Sequence, residues 1–346
     1  MLGCVTSESP GLPWRPGSAT GAGSMPGTDP LQAARTVFDE LPDLPHLAEL
    51  PGRGAGADMI GRAIALLVDM PAEATPAGWR LAGRPGRDAH RARALLSQDL
   101  DVLEEVAAGY QGPLKVQVCG PWTLAASLEL PGSLEAALGD RGAVADLTES
   151  LAEGVAAHVA DVRRRVPGAS VLLQLDEPTL PAALAGGLSS VSGLRQLAPV
   201  EPGPAADGLR AVQHAAGADV LVHVCAAPAP FGIIAESGAR AVWIDLSLLR
   251  REDYDPLAEL AGSGSGIVAG VLQPTDSERF APQDLARRVI ELWRRLGLEP
   301  ERCASQVVIA PACGLAGVSP ERAAAVLADC REAGRILPEL IEEGTG

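Results

Sequence analysis

The sequence predicts an α/β fold, a single (β/α)8 TIM barrel with an N-terminal extension, and three observations carry that expectation. Short apolar runs alternate with amphipathic helical stretches along the 346 residues. The runs are near-continuously hydrophobic, as parallel strands covered on both faces are. Polar residues fall repeatedly just after these runs, and in a parallel barrel those positions converge on one mouth. Residues 1–17 are rich in Gly, Pro and Ser without periodicity and read as a flexible N-terminal segment, which leaves 18–346 for the barrel. Strands are expected at 19–23, 114–119, 170–175, 220–224, 241–244, 267–271 and 307–310. Between the last two, a helix over 284–296 places Leu285, Val289, Leu292, Trp293 and Leu296 on one face. Ser319 and Pro320 supply the N-cap and first position of the last long helix, whose apolar stripe includes Ala323, Val326, Leu327 and Cys330. An open doubly wound sheet is the competing architecture. Against it, no Gly-x-Gly-x-x-Gly fingerprint follows a strand, and Gly52-Arg53-Gly54-Ala55-Gly56 has no convincing strand before it.

Composition narrows the function classes. A hydrophobic content of 47% with 21% charged residues is enough for a large core. The formal charge of −16 opposes nucleic acid and anionic membrane as partners, because both are bound through basic surface, and a small-molecule substrate is expected instead. No apolar run is long enough to span a membrane and no signal peptide opens the chain, so the protein is expected in the cytoplasm. Six irregularly spaced cysteines do not make a disulfide framework, and reduced thiols follow. Cys330 reads as core, Cys4 as part of a loose tail, Cys303 as part of a polar loop, and Cys119 as the end of a strand.

The candidate chemistry lies in His223-Val224-Cys225, at the end of the run 220–222, and in Cys313. On a strand, residues i and i+2 share a face, so an imidazole and a thiol can aim at one point. A third ligand from a distant strand end would complete the three-ligand, one-open-position pattern of catalytic zinc. Taken alone, the step also reads as plain core, since cysteine is among the most buried residue types. Ser24, Asp176 with Glu177, Asp245 and Gln273 occupy the same position after a strand, where each is equally able to serve as a cap or turn former.

In order along the chain, Thr20-Gly21-Ala22-Gly23-Ser24-Met25-Pro26, Gly120-Pro121-Trp122-Thr123-Leu124, Gln174-Leu175-Asp176-Glu177-Pro178, His223-Val224-Cys225, Trp243-Ile244-Asp245 and Pro311-Ala312-Cys313-Gly314-Leu315 resemble the catalytic C-terminal barrel of cobalamin-independent methionine synthase. That superfamily also holds uroporphyrinogen decarboxylase, whose branch has no such ligand set. The resemblance covers roughly residues 18–330. It implies Zn2+ held by His223, Cys225, Asp245 and Cys313, with the thiol of homocysteine in the open position. It further implies that Gly23 and Ser24 hold the carboxylate of the amino acid, that Glu49 and Asp176 pair with its ammonium group, and that Glu177 stands behind them.

Departures from the family bear on the methyl donor. Asp245 replaces the usual Glu and is one methylene shorter. The family's acid histidine is missing from Gly270-Val271-Leu272-Gln273-Pro274-Thr275-Asp276, so Asp276 becomes the candidate catalytic acid. Ser127 stands near the place of the aromatic residue that packs on folate, and the second, N-terminal barrel of the full-length enzymes is not in this sequence. The expected function is therefore transfer of a methyl group to homocysteine, with the donor a folate or, as the missing acid suggests, a methyl-corrinoid or its carrier protein. A catalytically idle thiol- or zinc-binding relative and an enzyme of the decarboxylase type are the alternatives.

Overall fold

The computed structural model describes residues 11–84, 86–189, 196–276 and 280–345. Nine strands form among them: β1 (Ala72–Thr75), β2 (Gly78–Leu81), β3 (Gly112–Cys119), β4 (Leu128–Glu129), β5 (Ala169–Asp176), β6 (Asp219–Val224), β7 (Ala241–Asp245), β8 (Gly266–Leu272) and β9 (Val307–Pro311). Six of these, in the order β3-β5-β6-β7-β8-β9, make a curled, wholly parallel sheet with helices between successive strands. The architecture is that of a TIM-barrel-like α/β fold. A small sheet of β1, β2 and β4, which the apolar pattern does not announce, stands apart from it.

Two irregular segments link the edges of the large sheet. Thr20 N donates to Ile309 O at 3.0 Å and Ile309 N to Ser18 O at 3.1 Å on one edge. On the other, Leu47 N donates to Lys115 O and Lys115 N to Pro45 O, both at 2.9 Å. The segments meet through Met25 N to Glu49 O at 2.7 Å and Glu49 N to Gly23 O at 3.0 Å. The run expected as a strand at 19–23 is thus a set of single bridges, and its partner at 45–49 was not expected at all. Gly21 and Gly23 lack side chains to pack and Pro45 lacks a donor, so neither segment sustains a regular ladder.

Inside the curl, Leu172, Leu221, Ala241, Trp243, Val268, Val308 and Ala310 pack together with Trp14. The alternate residues of the same strands face the helices, where two larger apolar clusters form. The segment expected to be flexible through residue 17 lies outside the described residues from 1 to 10; beyond them Trp14 is buried. Its indole nitrogen donates to Ser305 O at 3.2 Å, and Gly17 N donates to Ala304 O at 3.1 Å. A tryptophan inside a Gly- and Pro-rich stretch has no periodicity to announce it, yet its area alone favours burial.

The helix Pro282–Arg295 buries Leu285, Val289, Leu292 and Trp293, and Pro320–Thr345 starts with Arg322 N donating to Ser319 Oγ at 3.2 Å. Cys303, placed in a polar loop by the sequence, is instead buried in the short helix Pro300–Gln306. No described helix is long and apolar enough to cross a membrane.

Replacing Trp14 by Ala should lower the free energy of unfolding by about 3 kcal/mol, the usual scale for a buried aromatic. Urea denaturation measures it, and an unchanged midpoint would show that residues 12–17 are peripheral to the core.

Candidate functional site

Parallel pairing places Cys119, Asp176, His223 and Trp243 level with one another across β3, β5, β6 and β7. His223 Nδ1 lies 2.7 Å from Asp176 Oδ1, with both side chains buried. A carboxylate only accepts, so Nδ1 carries a hydrogen, and Nε2 is the nitrogen at which a neutral ring presents its lone pair. That Nε2 is buried and has no hydrogen-bond partner among the described residues. The ring is further fixed by Trp243, whose centroid is 4.7 Å away.

Cys225, just beyond β6, and Cys313, just beyond β9, bring their sulfurs to 3.8 Å. Two sulfurs on a tetrahedral zinc, each at about 2.3 Å, subtend nearly this distance. The pair favours a single proton: the shared hydrogen bond holds Cys313 down, to about 6, and pushes the Cys225 thiol up. Asp245 is placed differently from the expectation. Its Oδ1 accepts from Ser247 N at 2.8 Å and Ser247 Oγ at 2.7 Å, and its Oδ2 accepts from Gln273 Nε2. Among the described residues, no three His, Cys, Asp or Glu side chains converge as a ready-made metal cluster. His223, Cys225 and Cys313 fit zinc by donor type, by the unpartnered nitrogen and by the sulfur spacing. Asp245 is occupied as the cap of the turn Leu246–Leu248.

The residues expected to bind an amino acid fall around this group. Gly23 and Ser24 adjoin Glu49 through the backbone pairing above, and Ser24 O accepts from Leu315 N at 2.8 Å, which ties this segment to the Cys313 loop. Glu49 is buried and loosely held, with Gln117 Nε2 at 3.4 Å and Arg62 Nε at 3.7 Å. Burial pushes its carboxyl up to about 7; Arg62 opposes that rise and Asp176 adds to it. Arg62 in turn pairs with the buried Asp99, which also takes Arg53 at 2.6 Å, so the Gly52-Arg53-Gly54 stretch anchors this ion network. Asp176 also accepts from Gln174 Nε2 at 2.7 Å.

Glu177 faces elsewhere. It is fully buried and accepts from Trp122 N at 3.0 Å, Thr123 N at 2.8 Å and Thr123 Oγ1 at 2.7 Å, at the start of the helix Pro121–Ser127. Its place is behind the site, as the support of the Gly120-Pro121-Trp122 turn. Asp276 closes another turn, its Oδ2 accepting from Gln273 N at 3.2 Å while Arg322 donates to its carbonyl at 3.2 Å.

Sequence reading missed Lys115. Its side chain is wholly buried beside Trp243, with Nζ 5.5 Å from the ring centroid and no hydrogen-bond partner. Burial pulls its pKa down to about 7, against the attraction of Asp176 and Glu49. The signal was present: it is the sole lysine among 28 lysines and arginines.

The family described as cobalamin-independent synthase, catalytic domain, matches residues 139–335. The chain belongs to this family. Of the two relations left open by the sequence, the match is to the synthase side. A solved B12-independent methionine synthase from Shewanella sp. W3-18-1, in complex with selenomethionine, is 12% identical with a TM-score of 0.64, over 95% of this chain and 99% of that one. A methyltransferase from Methanosarcina mazei is 13% identical with a TM-score of 0.57, over 98% and 95%. At this identity the likeness is one of fold. Comparison with curated proteins gives no match, and nothing in these findings supports the corrinoid partner.

Replacing Glu49 by Gln tests the site's electrostatics. A carboxyl raised from 4.5 to about 7 on folding favours the folded state below pH 4.5, and that contribution is lost as pH rises through 7. Glu49→Gln should therefore be more stable than wild type above pH 7, by roughly 2–3 kcal/mol, and flatten the stability profile between the two values. Urea titrations across pH measure it, and parallel profiles would show Glu49 to be ionised throughout.

Proposed function

We propose that this protein is a zinc-dependent methyltransferase that methylates the thiol of homocysteine to give methionine. The observation that carries the reading is the free Nε2 of His223, fixed by Asp176, at strand ends that also bring two cysteine sulfurs to zinc-like spacing. His223, Cys225 and Cys313 would hold the metal, and Asp245 would join only by leaving Gln273. Bound zinc would supply the thiolate that methyl transfer needs, because a metal-bound thiol is deprotonated at neutral pH.

The chain's own residues then orient the acceptor. Glu49 and Asp176 pair with its ammonium group, and Gly23 N and Ser24 Oγ take its carboxylate. Trp243 and Asp176 keep the His223 ring in one orientation. For the donor, the synthase family favours a folate-type methyl group over the corrinoid that the missing histidine suggested, with Asp276 as the acid that protonates the departing nitrogen. The described cysteines are free, which suits a reducing compartment such as the cytoplasm. One observation favours a second reading, an idle zinc- or thiol-binding relative: the ligands do not converge as a ready-made cluster. Turnover separates the two.

Purified protein should hold about one zinc per chain, and Cys225→Ser and Cys313→Ser should each lose most of it while circular dichroism stays unchanged. Metal analysis checks this, and full occupancy in either variant would overturn the ligand set. Homocysteine should add a sulfur neighbour to the zinc X-ray absorption spectrum, and Asp176→Asn should weaken its binding by roughly 1.5–3 kcal/mol. Methionine formation from methyl-tetrahydrofolate and from methylcobalamin at equal concentration then decides the donor; no product from either favours the idle relative.

A further inference from the structure

Of the 28 lysines and arginines in this chain all but one are arginine, and the exception lies inside the fold. Arginine is effectively always charged, whereas lysine loses its proton readily when buried, so among the lysines and arginines Lys115 alone is a cation that can be switched off. A second observation points the same way. Among the described residues the Lys115 ammonium has no hydrogen-bond partner although its side chain is fully buried, and the acceptors Gln117 Oε1, Gln174 Oε1 and His46 Nε2 are unpartnered as well. The Trp243 ring on β7 lies beside it, His46 pairs with it backbone to backbone, and Asp176 on β5 and Glu49 on the 45–49 segment attract its charge. Its surroundings are therefore two carboxylates with no direct bond to it.

Those two carboxylates are the ones assigned above to the ammonium group of the substrate, and the present inference rests on that assignment. We propose that Lys115 is an internal stand-in for the substrate's ammonium group: a positioning residue that neutralises Asp176 and Glu49 while the site is empty and gives up its proton when an amino acid binds. Two cations beside the same carboxylates repel at low dielectric, and the bound ammonium is the better placed of the two. The step breaks one Nζ–H bond of Lys115; the proton passes to solvent and the neutral amine remains. Arg62 cannot take this part, since its guanidinium stays charged and is paired with Asp99. Glu49 also titrates near neutrality, its other charged neighbours being Arg62 and Asp58, so its proton must be counted separately.

L-Methionine on the zinc-loaded protein is the suitable probe, because a thioether brings no thiol proton of its own. Calorimetry in buffers of different ionisation enthalpy should show a proton released at pH 6.5 that falls by most of one in Lys115→Met, while Glu49→Gln removes a separate share. With lysine titrating at about 7, Lys115→Met should bind methionine up to about tenfold tighter than wild type at pH 6 and equally above pH 8. Lys115→Arg, whose charge cannot leave, should bind more weakly at every pH. Should Lys115→Met not fold, the single lysine gives one 13Cε NMR signal in wild type. It should titrate near pH 7 in the free protein and take the neutral position at pH 7 with methionine bound. A lysine signal still charged at pH 9, or an unchanged proton count in Lys115→Met, would overturn the exchange alone. No binding of methionine to wild type would overturn the acceptor assignment and the exchange with it.

Discussion

The hydrogen bond between Asp176 and His223 is the interaction on which the rest of the site depends. It joins the ends of two adjacent strands, and the strand register that makes it possible is set by the apolar residues on either side, Leu175 and Val222 among them. A slip of one residue would turn the carboxylate or the imidazole to the helix side. With the bond made, one nitrogen of His223 is a donor and the other is a base with nothing to accept from. Gln174 extends the arrangement downward, since it donates to both Asp176 and Ala22 O and thereby ties the first segment of the barrel to the fifth strand. Packing thus fixes chemistry: the apolar register selects the tautomer, and the tautomer decides what the site can hold.

A polar interior of this kind survives because its charges are matched in pairs. Asp99 lies between Arg53 and Arg62, and Arg62 reaches toward Glu49. Glu177 takes three donors from the first turn of the helix Pro121–Ser127. Removing one member of a buried pair is costlier than the pair is worth, because the other charge is left without compensation. Glu49 and Lys115 are exceptions, the first held by contacts of 3.4 and 3.7 Å and the second without a hydrogen bond among the described residues. A loosely held buried carboxylate is destabilising in the empty protein and available to a cationic ligand, which is how a binding site differs from a structural ion pair.

How much of this was legible in the sequence follows from where the signal sits. Six parallel strands were readable because each is buried on both faces and so hydrophobic throughout, and the polar residues at their ends were readable as interruptions. The segment 45–49 was not, and the run at 19–23 was read as a strand where it forms only bridges, because glycine and proline break these ladders into single pairings whose register is set from outside, by Ile309 and Lys115. That His223, Cys225 and Cys313 stand at strand ends could be read from the apolar runs before them. That Asp245 turns to Ser247 and Gln273 could not, since an aspartate after a strand caps a turn as readily as it binds a metal. Lys115 was hidden by its neighbours: inside an apolar strand a lysine suggests an edge or an end, and β3 is an edge of the six-stranded sheet, but the 45–49 segment pairs onto that edge and the side chain turns inward to Trp243.

The glycines of the motifs show how separate loops become one site. A Cβ at Gly314 would lie 1.9 Å from Ser24 Oγ, so glycine after Cys313 lets that hydroxyl keep its place where the first and last segments touch. A Cβ at Gly120 would lie 2.3 Å from Glu177 Oε1, so the turn after β3 can close onto the carboxylate after β5 only without a side chain there. In both places one partner is a polar group at a strand end and the other is bare backbone. The distance between strand ends in a barrel is set by the sheet and cannot shrink to suit a small substrate. What can shrink is the space that side chains take between the loops, and these two glycines remove it between Ser24 and the Cys313 loop and between the turn after β3 and Glu177.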